Sequence, residues 1–311
     1  MAIYRTLSTS EIEAAVDLWV EVFGVEAPYF QTLLDGDDSD AVSLGAFEEG
    51  RLVSSVHVFI RWFRGREGRP QRVGAIGSVS TAPNARSRGH SSHLLQMAIQ
   101  EMEARDCVWS YLGTGVNNHY AKQGWRTVST PYFKGVPKEG MIEPLEVVMV
   151  TDELLEAMAL IHDEYSQIRP MANARSRQMW HTAVRYRITG HLDEVYTWNE
   201  SGVISAYLVA RRAESHVELI EAACREGTED DLRDLVRKRL LRARKDQFHQ
   251  VVCHLPEESE GFSAFAAACT EVSPAEDRSW MARPIANRIT CPDLAALLAD
   301  PRGRRSDLDN F

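Results

Sequence analysis

Apolar positions in the first third of the chain alternate between a helical and a strand period. Ile12, Val16, Trp19, Val20 and Phe23 recur at helical spacing behind the capping-box pairs Ser8/Glu11 and Ser10/Glu13, which predicts a helix over about 11–23. A short second helix is expected over 29–34, and the polar run 35–40 reads as a loop. Residues 42–47 and 52–63 are β-rich and flank Glu48, Glu49 and Gly50, a hairpin pattern. Residues 73–81 (VGAIGSVST) form another strand, stopped by Pro83, which has no N–H for a ladder. Leu94, Leu95, Ala98, Ile99 and Met102 then mark one side of a helix over 88–103. A strand at 108–113 and a short helix at 116–122, closed by Gly124, complete the order α-α-β-β-β-α-β-α.

After a polar break at 137–140 the order begins again. Helices are expected over 153–168 and 176–187, strands over 194–198 and 203–211, and a further strand over 216–222. A long helix at 230–244, a strand at 248–254 and a helix at 261–268 follow. The halves share no evident sequence identity, so the repeat is one of pattern and suggests two copies of one α/β fold. Residues 278–300 read as a last strand and a helix starting near Pro292. The expected division is 1–140, 141–290, and a C-terminal helix and tail over 291–311.

Composition narrows the function classes. A length of 311 residues suits about two domains. A formal charge of −10 argues against a general nucleic-acid binder and is compatible with a cationic substrate such as an amine. The five cysteines are scattered without a C-x-x-C pair, so neither a zinc site nor a disulfide framework is expected and a reducing, cytoplasmic setting is. The N-terminus lacks a signal-peptide pattern, and no run approaches ~18 apolar residues, so no membrane association is expected. The ten histidines include no H-E-x-x-H, so no metal role is expected. The basic run Arg237–Lys245 recurs around a helix and reads as a solvated face or a subunit contact.

The segment that carries chemistry is 79–95 (VSTAPNARSRGHSSHLL). A strand ends, a loop with two arginines and a glycine follows, and an amphipathic helix begins. The first N–H groups of a helix lack internal partners and the helix dipole adds positive charge there, which suits a pyrophosphate. Gly89 lets the backbone approach phosphates closely, Arg86 and Arg88 add charge, and the hydroxyls of Ser91 and Ser92 add donors. The preceding strand could leave one edge open, with the main chain of Val79 and Thr81 facing an amide-bearing ligand.

The run Arg86-Ser87-Arg88-Gly89-His90-Ser91 resembles the R/Q-x-x-G-x-G/A motif of the GNAT (Gcn5-related N-acetyltransferase) superfamily, with Ser91 departing at the last position. The run Asn117-Asn118-His119-Tyr120 with Gly124-Trp125 behind it resembles that family's later element. The resemblance implies acetyl-CoA as cosubstrate, Tyr120 as the general acid that protonates the departing thiolate, and Asn117 as a cofactor contact. It implies two tandem GNAT-type domains, each a mixed, mostly antiparallel sheet flanked by helices, the first catalytic and the second degenerate. Residues 75–91 resemble the V-x-V-A-P-x-x-R-R-R-G segment of the enhanced-intracellular-survival (Eis-like) group, with Thr81 and Ser87 as departures. The sterol-carrier-like third domain of that group has no counterpart beyond the strand and helix of 279–300. In that group a terminal carboxylate can deprotonate the amine, which makes Phe311 a catalytic candidate. The first helices border the acceptor in the family, so Trp19, Phe23, Glu26, Tyr29 and Phe30 are candidates to line its pocket. The acceptor itself stays open among aminoglycosides, polyamines, small peptides and protein lysines. The family often assembles through its C-terminal parts, so a homo-oligomer is an expectation.

Other readings differ in class. A mycothiol-synthase-like acyltransferase would use the same tandem fold. A non-catalytic acyl-CoA-binding regulatory module would keep the loop and dispense with Tyr120. Cys107 sits at a strand start with no evident base, which argues against a covalent acyl-enzyme.

Overall fold

Ser8 and Glu11 close the expected capping box, the Glu11 carboxylate accepting from the Ser8 N–H at 2.9 Å. They start the helical turn that leads into α1 (Ile12–Phe23), which Gly24 ends in a left-handed conformation. The computed structural model describes residues 2–36, 40–141, 143–191, 193–200 and 202–309. The first half continues with α2 (Ala27–Asp35), β2 (Val42–Glu48), β3 (Arg51–Arg64), β4 (Pro70–Thr81), α3 (His90–Ala104), β5 (Trp109–Gly113), α4 (Asn117–Ala121) and β6 (Arg126–Pro137). The second half holds α5 (Asp152–Ser166), α6 (Arg177–Met179), α7 (Arg185–Gly190), β7 (Glu194–Glu200), β8 (Val203–Arg212), β9 (Val217–Cys224), α8 (Glu229–Lys245), β10 (Val251–Cys253), α9 (Glu260–Ala268), β11 (Cys269–Pro284) and α10 (Cys291–Leu298). A short strand β1 (Ile3–Thr6) precedes them all.

Two strands escaped the sequence reading. β1 is four residues long and mostly exposed, so it shows no alternation. β6 contains Pro131 and is half-exposed over its first part. It is stabilised by two neighbours, β10 and β11, rather than by its own pattern. The single helix expected over 176–187 is broken by a π-helical stretch at Trp180–Val184.

The eleven strands form one sheet in the order β1-β2-β3-β4-β5-β11-β6-β10-β9-β8-β7. The halves interleave at its centre. β11 lies beside β5, and β6 lies beside β10, so each half is completed by the other's last strand. On one face, Val56, Val58, Ile60, Ile76 and Leu112 pack under Leu94, Leu95, Ala98 and Met102 of α3. Gly74 makes that contact close, since a Cβ there would lie 2.1 Å from the Met102 sulfur. On the other face, Phe59, Phe63, Ala75, Trp109 and Tyr111 share a core with Leu155, Met158, Tyr207 and Ile220 of the second half. This shared core faces the two halves toward each other.

The basic helix α8 is neutralised locally. Arg237 pairs with Glu143, Arg244 with Glu139, and the fully buried Arg239 with Glu194. Arg239 departs from the expected solvated face or subunit contact, since it is fully buried beside the second core.

Candidate functional site

β4 runs antiparallel to β3 along its whole length, yet it pairs with β5 only at Val73–Ala75, against Trp109–Tyr111. Beyond Ala75 the two strands part. A bulge sharpens the divergence: His57 faces Gly77 and Ser55 faces Ser80, with Ser78 forced to φ 49° between them. Residues 76–81 thus turn one side of their main chain to an opening rather than to a strand. Val79 and Thr81, both half-buried, lie on this stretch.

The loop after β4 carries the left-handed residues Ser87 (φ 64°) and Gly89 (φ 85°). Gly89 is exposed and is the N-cap of α3, and no side chain caps that helix. The first turn of α3 contains no acidic residue. The N–H groups of His90, Ser91 and Ser92 are therefore left to an external acceptor. A Cβ at Gly89 would meet nothing within 4 Å, so the glycine answers the backbone angle and leaves clear space before the helix. These features fit a diphosphate.

The side chains around the loop divide. Arg86 is exposed, with Nε 3.3 Å from the Thr81 carbonyl. Arg88 donates to Glu48 at 2.6 Å and to the Asn84 carbonyl at 2.8 Å, so its charge is partly spent within the fold. His90 is buried, with Nδ1 3.0 Å from the Tyr4 hydroxyl and Nε2 3.3 Å from Glu48. Its imidazole points into the fold, so only its main chain is available to the loop's open side. Ser87 is exposed, and Ser91 and Ser92 are half-buried.

Tyr120, on α4, is buried and packs against Trp125 with ring centroids 6.5 Å apart. Burial raises the pKa of its phenol, and a hydrogen bond with Thr114 opposes that rise. The hydroxyl therefore holds its proton at neutral pH. Asn117 starts the same helix, its amide donating to the Thr127 hydroxyl at 2.8 Å and to the Arg278 carbonyl at 3.3 Å. These bonds fasten the start of α4 to β6 and β11. The Cys107 thiol is buried and pushed up to about 11, which keeps it protonated and non-nucleophilic.

Of the five residues expected at the acceptor, the four aromatic ones meet around Phe30, whose ring centroid lies 5.5 Å from Trp19, 6.1 Å from Phe23 and 5.2 Å from Tyr29. Trp19 and Phe30 are core residues beneath α1 and α2, at 1% and 4% exposure. Phe23 and Glu26 are exposed, and Tyr29 packs against Tyr186 of the second half. Phe311 lies outside the described residues.

Sequence reasoning missed a buried polar row on the face of the sheet opposite α3. Trp19 donates to Ser55 Oγ at 2.7 Å, Ser55 meets Ser80 at 3.0 Å, and Ser43 meets His57 Nδ1 at 2.7 Å. The available signal was Ser54, Ser55 and His57, polar residues in the midst of the strand's apolar run. On the same face a cavity of about 180 Å³ begins at Tyr111 and is lined by Val128, Trp280 and Arg305 among others. Among the described residues no group of His, Cys, Asp and Glu is placed to hold a metal, and no helix is long and apolar enough to cross a membrane.

Comparisons with known proteins bear on the fold and the family. Residues 3–128 match the family model described as an acetyltransferase (GNAT) domain. No curated protein matches the chain. A protein of unknown function from Enterococcus faecalis V583, described as a probable N-acyltransferase, superposes with a TM-score of 0.71 at 15% identity, over 92% of this chain and 73% of that one. Eis1 from Mycobacterium abscessus gives 0.65 at 15% identity, over 92% and 74%. A tandem GNAT protein from the clavulanic acid biosynthesis pathway gives 0.50 at 12% identity, over 92% and 99%. At such identities the likeness is one of fold.

Proposed function

The chain carries a GNAT-family acetyltransferase domain at residues 3–128 within a tandem fold, and from that premise we propose that it moves an acetyl group from acetyl-CoA to a primary amine by direct attack. Acyl transfer is the class the family supplies; the acetyl donor, the amine acceptor and the residue roles are our reading. The observation that carries it is the opening between β4 and β5, set beside the uncapped start of α3.

In this reading the diphosphate of the cosubstrate is held by the N–H groups of residues 90–92, with Arg86 and the freed part of Arg88 adding charge. The amide-bearing arm lies along Val79 and Thr81, hydrogen-bonded like an added strand. The acyl carbonyl rests near the Val79 N–H, which stabilises negative charge developing on its oxygen. The acceptor enters from the cavity beside Tyr111. Its nitrogen forms a bond to the carbonyl carbon, the C–S bond breaks, and the thiolate takes the Tyr120 proton. Holding both reactants in one geometry supplies much of the acceleration. The proton lost by the amine goes to a carboxylate or to a chain of water molecules on the acceptor side. We assign residues 1–140 as the catalytic domain, 141–290 as a degenerate GNAT-like domain and 291–311 as a helix and tail. The reducing cytoplasm is its proposed setting, and a homo-oligomer its proposed assembly.

The test is thiol release from acetyl-CoA with an aminoglycoside, a polyamine, short peptides and a lysine-bearing protein as acceptors, in wild type and Tyr120→Phe. We expect turnover with one class, lowered roughly 100-fold or more by the substitution, with acetyl-CoA affinity unchanged. Undiminished turnover in Tyr120→Phe would remove the general acid. Coenzyme binding without turnover on any acceptor would favour the regulatory module.

A further inference from the structure

β5 ends at Gly113, and residues 114–116 turn the chain into α4, which carries Tyr120. The turn is held from outside by β11, the last strand of the second half. A bulge in β11 between Asp277 and Trp280 interrupts its pairing with β6, while Trp280 faces Gly113 of β5. At the bulge the carbonyls of β11 reach the turn. Ser279 accepts from the Thr114 N–H at 2.7 Å, and Arg278 accepts from the Asn117 side-chain amide at 3.3 Å. Thr114 Oγ1 accepts from the Val116 N–H at 3.0 Å. The main chain of Thr114 and its side-chain oxygen are thus both fixed without a ligand. Its hydroxyl also hydrogen-bonds with the phenol of Tyr120.

Burial and this bond act on the phenol in opposite senses. Tyr120 is buried, which holds its proton more tightly than water would, and the Thr114 bond loosens it, as a donor to the phenol oxygen does. His119, edge-on to the ring at 5.0 Å, brings no charge at neutral pH, because burial lowers its pKa. A free thiol has a pKa of about 8.5 and a free phenol about 10, so passing a proton from tyrosine to a thiolate is uphill before burial is counted. A donor fixed on the phenol oxygen works against that slope. It also leaves the phenol's own proton free for the sulfur.

We propose that Thr114 is a positioning residue for Tyr120: its hydroxyl donates to the phenol oxygen and steadies the phenolate formed when the proton passes to the departing thiolate, with β11 holding the threonine in place. The inference deepens the function proposed above and rests on the reading of Tyr120 as general acid. As the C–S bond breaks, its electron pair goes to sulfur, sulfur takes the phenol proton, and the negative charge comes to the phenol oxygen. Solvent returns a proton to that oxygen after the thiol leaves. The threonine keeps its own proton throughout and touches no substrate. The second half thereby acts on the first through a strand.

The experiment compares Thr114→Val, Thr114→Ser, Tyr120→Phe and the double variant of Thr114→Val with Tyr120→Phe against wild type, all as full chains. Valine has the shape of threonine without the hydroxyl, and serine keeps the hydroxyl. With the fastest amine of the panel above, we expect Thr114→Val to lower kcat about tenfold, the worth of one hydrogen bond to a group that becomes charged, with the KM for acetyl-CoA unchanged. Thr114→Ser should restore most of the loss. In the Tyr120→Phe background the valine should cost nothing further, because the oxygen it served is gone. Equal losses in both backgrounds, or a loss that serine does not restore, would assign Thr114 to the fold alone and overturn the inference. A second readout needs no turnover. In protein isotope-labelled at the tyrosine ring carbon that bears oxygen, the Tyr120 resonance is the one missing from Tyr120→Phe. It should titrate at higher pH in Thr114→Val than in wild type; an unmoved titration overturns the hydrogen bond whatever the kinetics. If the titration moves while Tyr120→Phe turns over as wild type does, the general acid lies elsewhere, and the inference falls with that reading rather than on its own geometry.

Discussion

Gly89→Ala separates the backbone's need for glycine from the ligand's need for space. At φ 85° a residue with a Cβ pays for the left-handed conformation with roughly 1–2 kcal/mol. The lower entropy of the unfolded alanine chain returns about 0.4–1 kcal/mol. The new methyl meets nothing within 4 Å, so no clash is added. The net effect on stability is about 1 kcal/mol, or a fall in Tm of roughly 2–4 °C for a chain of this size. Binding responds more strongly. The methyl occupies the clear space before α3, and losing one charge-assisted hydrogen bond to the diphosphate costs about 1.5–3 kcal/mol, a 10- to 100-fold loss. Gly227→Ala is the matched control, since Gly227 has φ 79° and equally open surroundings but lies in the second half. Calorimetric titration with acetyl-CoA, alongside thermal unfolding, reads both quantities. If both variants lose similar stability and neither loses affinity, the loop at 86–92 does not hold the diphosphate and the proposed function loses its foundation.

Three further outcomes follow from the same geometry. Glu48→Gln removes a carboxylate that occupies Arg88 at 2.6 Å, so acetyl-CoA binding should tighten several-fold at low salt, in line with the modest worth of an exposed pair; an unchanged Kd would show that Arg88 serves only the loop. His162 is buried and its pKa is lowered to about 4, by burial first and by Arg175 second. Because the folded state resists a proton that the unfolded chain accepts near 6.5, His162 stabilises the fold above that pH and the stability is lost as pH falls toward 4. By pH 5 the loss is about 2 kcal/mol, and His162→Gln should flatten the fall of Tm between pH 7 and 5; parallel curves for the two proteins would contradict it. Cys291 is exposed and the other four cysteines are buried, so a thiol reagent should label one site per native chain; rapid labelling at Cys107 would contradict the packing described.

Much of the frame around the candidate site could be read from residue order. The strand ending at Thr81, the glycine at 89 and the amphipathic run behind it each carry a local physical requirement: a stopped ladder, a left-handed angle, an apolar stripe. Local requirements leave local marks, and the structure has β4, the Gly89 cap and α3 where the pattern asked for them. Where side chains turn depends on neighbours far along the chain. His90 faces Tyr4, 86 positions away, and Trp19 faces Ser55, 36 away, so neither could be assigned to ligand or core from spacing.

The sequence by itself determined most of the helices and strands, short of β1 and β6, and the duplicated pattern, because period and capping act within a few residues. Only the tertiary structure decided that β4 and β5 part after Ala75, that β6 and β11 trade places between the halves, and that Arg175, Glu221 and Asp309 meet. Each depends on which distant surfaces can be buried together, and that is settled by the packing of the whole chain.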